Sequence, residues 1–207
     1  MTSAWQPTEV ADLHILEAAL EQFAVLGISR TSLTDIARRA NVDRGTIYRR
    51  VGDLQAVTAA ALVLEGQRLV DQIRADVEPF DDLSERFERA FVGTVQRMRN
   101  HPIVVRALEV DRAAALLAIA DATAAVMNAA NAFVVDEIHR ARRGGCIVPI
   151  QDEVLAGVTV RLVHSLVVFP DAPPVLKTDQ ELAEYVRNNF SVLLPIAGLL
   201  RAPIDSQ

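Results

Sequence analysis

Residues 33–54 read LTDIARRANVDRGTIYRRVGDL, and the spacing of apolar side chains in this stretch decides the fold. Ile36, Ala40, Val42, Ile47 and Val51 fall where two short helices would turn one side towards a third. Ala37 is small at the place where two steeply crossed helices must touch, and Asn41 tolerates the positive φ that a tight turn needs. Thr31 or Ser32 can cap the first short helix, 33–40, with Asp35 completing a Ser-x-x-Asp box. Asp43 is a good N-cap for the second, 44–51, and Gly52 stops it.

Upstream, Val10, Leu13, Leu16, Leu20 and Phe23 recur every three or four residues and predict a helix over 7–26, with Gly27 as a left-handed C-cap. Downstream, Asp53 caps a long fourth helix towards Asp76, and Pro79 ends that segment. Further helices are predicted over 82–100, 102–110, 113–143, 152–169 and 179–194. They are separated at Gly144-Gly145, Pro149 and the Pro170–Pro174 loop; Thr178 with Glu181 forms another capping box, and Pro195 kinks or ends the last helix. There is no strand-like alternation and no internal repeat.

Composition agrees. Of 207 residues 51% are apolar, which excludes a disordered chain, and only 5% are aromatic, so Ala, Leu and Val carry the core. The expected fold class is all-α: an N-terminal three-helix helix-turn-helix domain, 8–52, followed by a larger helical domain, 53–201. The N-terminus has no charged segment leading into an apolar one, and Arg112, Asp121, Asp136 and Arg161 interrupt the later apolar stretches. No membrane association is expected. The single cysteine, Cys146, excludes an intrachain disulfide framework, so the cytoplasm is the economical location.

Charge is distributed unevenly. Six arginines (30, 38, 39, 44, 49 and 50) against Asp35 and Asp43 give residues 28–51 a local +4, leaving −10 for the remainder of a chain whose net charge is −6. Salt screens exposed charges beyond about 10 Å, so a local basic patch attracts phosphate despite a distant acidic surface. A solvated arginine-rich helix face would look the same. Charge alone does not separate the two; the helical pattern turns Arg44, Gly45, Thr46, Tyr48 and Arg49 outward on the third helix.

A helix presented this way meets base edges in the major groove of double-stranded DNA, while flanking groups hold phosphates. Arg44 suits guanine O6 and N7, and the Thr46 methyl suits a thymine methyl. Gly45 would let the backbone approach the duplex closely. Tyr48, Arg49, Thr31 and Ser32 are placed for the backbone. Three arginines turned outward on or beside this helix are expected to have no acidic partners.

The stretch IARRANVDRGTIYRR, with its Ala-Asn-Val turn and Gly-Thr-Ile-Tyr run, resembles the TetR family of one-component transcriptional regulators over roughly Leu13 to Ala61. The family usually has Gly where Asn41 stands. Leu54 occupies a place where members often carry a phosphate-holding lysine, which implies one backbone contact fewer per subunit. The resemblance implies a repressor that binds a palindromic operator as a homodimer, through a four-helix bundle of the last two long helices. Candidate stripes are Val158, Leu162, Leu166 and Phe169, and Val186, Phe190, Leu193 and Leu194. It also implies a small-molecule effector, of a chemistry the sequence does not name, bound among the fourth to eighth helices. Its binding would move the fourth helix and change the recognition-helix spacing.

Thr123, Met127 and Asn131 share one helix face and could line such a pocket, though residues of this kind are more often core or surface. Arg161, His164 and Ser165 form a polar stripe for which an ion pair at a rim or interface is the plainer account.

Rival functions find less support. His14, His101, His139 and His164 have no metal-ligand spacing, no phosphate-binding glycine loop or nucleophile elbow occurs, and Cys146 has no base near it in sequence. No catalytic role, cofactor or metal is therefore expected. A helical small-molecule or lipid-binding module that has lost DNA binding is the alternative. It would not show salt-sensitive binding to an inverted repeat.

Overall fold

The computed structural model describes residues 10–110, 112–143 and 151–190, with side chains described over 12–110, 127–143 and 151–190. Among them are nine α-helices: α1 (Val10–Leu26), α2 (Leu33–Arg39), α3 (Arg44–Arg50), α4 (Leu54–Val77), α5 (Leu83–Asn100), α6 (Pro102–Val110), α7 (Arg112–Arg143), α8 (Asp152–Val168) and α9 (Asp179–Phe190). The predicted termini at 7–9 and 191–194, together with Cys146 and Pro195, lie outside the described residues. The described residues form two compact units, one within 1–72 and 97–130, the other within 73–96 and 131–207, so that α4, α5 and α7 contribute to both.

In the first unit the core is built on α1. Leu16, Leu20 and Phe23 of the predicted stripe are buried, but so are Ile15, Ala18 and Ala19, while Leu13 is only half-buried. The buried face is broader than one stripe because α1 packs against both α2 and α6. Ile36, Ala37, Ala40 and Ile47 join this cluster from α2, the turn and α3, with Val57, Ala60 and Ala61 from α4 and Ile103 from α6. Phe23 and Ile47 are completely buried; burying each stabilises the unit by about 1.5–3 kcal/mol. The imidazole Nε2 of His14 donates to the Ala40 carbonyl at 2.9 Å and ties α1 to the turn.

Ends of helices follow local chemistry. Gly27 has positive φ, as expected of a chain leaving a helix, but its φ of 89° and ψ of 153° are not left-handed helical. It sends the chain into a single 3-10 turn, Ile28–Arg30, that the sequence pattern did not reveal. Asn41 adopts φ 52°, and Gly52 adopts φ 125°, where an added Cβ would meet the Ala56 methyl at 2.9 Å. The Asp53 carboxylate accepts from Ala56 N at 2.9 Å and caps α4.

The second unit has its own supports. Phe190 of α9 packs on Phe87 and Phe91 of α5, with ring centroids 5.3 and 5.8 Å apart. Ile138 and Val134 of α7 meet Leu155 of α8. Arg142 pairs with Asp152 at 2.5 Å, and His139 lies 3.0 Å from the same carboxylate. Arg86, 3% exposed, holds Glu137 with two bonds and also donates to the Val77 and Phe80 carbonyls. The Thr178–Glu181 box forms in both directions, at 3.2 and 2.9 Å.

Candidate nucleic-acid interface

The site is the outer face of α2, the turn and α3. Ser32 caps α2 with the full reciprocal box: its hydroxyl accepts from Asp35 N at 3.2 Å, and Asp35 Oδ2 accepts from Ser32 N at 3.0 Å. Donation from the Ser32 hydroxyl and the Ser32 backbone N–H, with Arg38 at 2.8 Å, holds the Asp35 carboxyl below its usual pKa, the Ser32 hydroxyl contributing most. Between the helices, Val42 N donates to the Ala37 carbonyl at 3.0 Å, which makes the turn compact. On α3, Ile47 is fully buried and anchors the helix, while Arg44, Tyr48 and Arg49 are exposed; Tyr48 keeps 64% of its surface. Gly45 and Thr46 are half-buried.

Four expectations change. Thr31 is 3% exposed and its hydroxyl donates to the Gly27 carbonyl at 2.8 Å, so it braces the corner behind α2 instead of facing phosphate. Ser32 is exposed, but its hydroxyl is shared with Asp35. The arginines are not without acidic partners: Arg38 pairs with Asp35 at 2.8 Å, Arg39 with Glu21 at 2.5 Å and Arg50 with the buried Asp12 at 3.2 Å. Arg30 and Arg44 make no ion pair among the described residues, so the usable positive charge is narrower than the sequence count. Finally, bare backbone is not presented at Gly45. An added Cβ there would lie 2.9 Å from Asp43 Oδ1 and 3.1 Å from Arg49 Nη1, so the space is already covered by these two side chains.

Sequence spacing could not have found Glu21 or Asp12, which lie 18 and 38 residues from their arginines. Asp43 is the N-cap that the sequence predicts: Oδ1 accepts from Thr46 N at 2.8 Å. Its second oxygen accepts from the Thr46 hydroxyl at 2.7 Å, an additional role that the pattern did not expose. Leu54 packs against the core cluster and offers no donor for phosphate.

Towards the dimer and effector, Leu166, Val186 and Phe190 are buried within the protomer, so they serve the internal core and cannot form an exposed stripe. Leu193 and Leu194 lie outside the described residues, as does the Thr123 side chain. Val154, Val158 and Phe169 do remain exposed on α8 and its C-cap, at 51, 49 and 49%. Arg161 donates to the Gly157 carbonyl of its own helix at 3.1 Å, and Leu162 is half-buried. Among the described residues no helix is long and apolar enough to cross a membrane, and no cluster of His, Cys, Asp and Glu could hold a metal ion.

Residues 15–52 match the model of the bacterial regulatory proteins of the tetR family. Over 156 residues the chain is 23% identical to the uncharacterized HTH-type transcriptional regulator YhgD of Bacillus subtilis, covering 74% of this chain and 80% of that one. It is 32% identical over 92 residues to an uncharacterized HTH-type transcriptional regulator of Mycobacterium tuberculosis, and there spans about half the relative's length: 44% of this chain and 47% of that one. A TetR-family regulator from Pectobacterium atrosepticum shares the fold with a TM-score of 0.64 and 21% identity, over 93% of this chain and 95% of that one. The helix-turn-helix sequence and its all-helical setting agree with these likenesses: residues 15–52 carry the segment that the tetR family model describes, and the fold is one that TetR-family regulators share.

Proposed function

We propose that the chain is a ligand-responsive repressor that binds a palindromic operator as a homodimer in the cytoplasm. Residues 8–52 act as the DNA-binding domain, and residues 53–201 carry effector binding and dimerisation. The observation that carries this is on α3: Arg44 and Tyr48 project from a helix whose opposite side is locked by the fully buried Ile47. Arg44 reads guanine, the Thr46 methyl meets thymine, and Tyr48 and Arg49 hold backbone phosphates. Ser32 and the exposed start of α2 lie against the flanking backbone.

Dimerisation is supported by the apolar surface of α8. Val154 and Val158 are one helical turn apart and exposed, and Phe169 continues the same side. Recognition helices from two subunits would then meet half-sites about 34 Å apart. Occupancy of an operator by such a dimer excludes polymerase without any further contact, which is the case for repression.

An effector is supported by two orphan groups in the second unit: Asn131 Oδ1 and Thr159 Oγ1 are buried and have no hydrogen-bond partner. A buried polar group left unpaired costs about 1–3 kcal/mol, which a ligand bearing a matching donor would recover. Such a ligand shifts DNA binding only insofar as it prefers one conformation.

Selection of bound sites from a random DNA pool tests the proposal. An inverted repeat should emerge, and Arg44→Ala or Tyr48→Ala should weaken binding to it. For Arg44 the loss is about 1–3 kcal/mol per half-site, with relaxed preference at one position. Unchanged affinity in both variants would remove α3 from the interface.

A further inference from the structure

Above Gly45, on the exposed side of α3, three polar side chains form one network. The Asp43 carboxylate accepts from Thr46 N through Oδ1 and from Thr46 Oγ1 through Oδ2, at 2.8 and 2.7 Å. Arg49 Nη2 donates to the same Thr46 oxygen at 3.1 Å. Arg49 Nη1 lies over Gly45, 3.1 Å from where a Cβ would stand, with Asp43 Oδ1 2.9 Å from that point. An N-cap requires only one of these bonds. The second oxygen commits the Thr46 proton to Asp43 and so leaves the hydroxyl oxygen free to accept from Arg49. The glycine is what makes room for the arrangement.

We propose that Asp43 is a positioning residue that sets the specificity of DNA recognition, holding Thr46 and Arg49 in one preset arrangement above Gly45 and placing a negative charge on the face that meets the duplex. The inference rests on the DNA-binding function proposed above. Its physical basis is discrimination by repulsion. On a matching half-site α3 seats in the groove and Arg49 meets its phosphate from within the network; on a duplex whose bases do not engage α3, Arg49 must leave the network to reach a phosphate, and the Asp43 carboxylate, an exposed group, faces a polyanion uncompensated. On a matching half-site the preset side chains lose no freedom on binding. The hydrogen bonds from Thr46, with Arg49 nearby, hold the Asp43 carboxyl below its usual pKa, so the charge is present at neutral pH.

The test uses the full chain, the duplex enriched from a random pool, and a scrambled duplex of equal length. Asp43→Asn and Asp43→Ser both keep a good N-cap while removing the charge. Freeing one arginine for phosphate should steepen the slope of log affinity against log salt by about 0.9 per subunit on the scrambled duplex. Between 50 and 200 mM salt, that is about a 3.5-fold larger loss per subunit. The ratio of enriched to scrambled affinity should fall by at least about threefold at the lower salt. Arg49→Gln in the Asp43→Asn background should abolish the added slope. Unchanged slope and ratio in both single variants, with wild-type helicity and melting, would reduce Asp43 to a helix cap and overturn the inference alone. Failure of the pool to enrich any duplex would overturn the DNA-binding function and this inference with it.

Discussion

Replacing Arg86 by alanine should be among the most damaging single changes in the second unit. The guanidinium is 3% exposed and makes four bonds: Nε and Nη2 to the two Glu137 oxygens at 2.7 and 2.9 Å, and Nη1 to the carbonyls of Val77 and Phe80 at 2.5 and 2.8 Å. Arg86 thereby joins the end of α4 and the following turn to α5 and α7. Each bond to a charged partner contributes about 1.5–3 kcal/mol, so truncation strips a large gross sum. Water entering the vacated volume recovers part of it, because Glu137 keeps 16% of its side-chain surface and Arg140 lies 3.9 Å away. The net loss should be about 3–5 kcal/mol, the range for removing one member of a buried pair.

Urea unfolding followed by far-UV circular dichroism measures this loss. With a slope of about 1–3 kcal/mol per molar, the midpoint should fall by roughly 1–5 M. The double variant Arg86→Met, Glu137→Leu should recover much of the loss, since no buried charge is left alone. A midpoint shift of Arg86→Ala below about 0.5 M at unchanged slope would refute the buried-pair account.

Three further outcomes are expected. Gly27→Ala should cost about 1–3 kcal/mol from backbone strain alone, because φ is 89° while the added Cβ finds only ordinary 3.6 Å contacts with Val110; an unchanged melting curve would contradict this. Ser32→Ala removes the α2 cap and should lower stability by about 1 kcal/mol, with Ser32→Asn close to wild type in the same denaturation assay. The His101 hydrogen bond, with Arg68 nearby, holds the Glu65 carboxyl below its ordinary value of 4.5. Because the folded value is the lower one, this stabilisation is complete above about pH 4.5 and disappears as pH falls through the folded value. Glu65→Gln should therefore flatten that part of the acid unfolding profile, and an identical profile would exclude Glu65 from it.

Helix existence and the helix-turn-helix were legible because they depend on neighbours in sequence: apolar spacing, the Ser32 and Thr178 boxes, and the positive φ of Asn41. What the outward residues do was only partly legible. Thr31 and Ser32 are adjacent and chemically alike, yet one is buried against Gly27 and the other is the cap, because one residue's rotation about the chain exchanges inside for outside.

The amino-acid order alone determined that the chain is helical, where a reading helix begins and ends, and which side of it carries arginine. Tertiary packing decided which charges are neutralised, since Glu21 and Asp12 reach Arg39 and Arg50 only after α1 is laid beside α2 and α3. It also decided that Leu166, Val186 and Phe190 belong to the protomer's interior while Val154 and Val158 stay outside. Periodicity identifies an apolar face but not its occupant, because burial depends on elements distant in sequence.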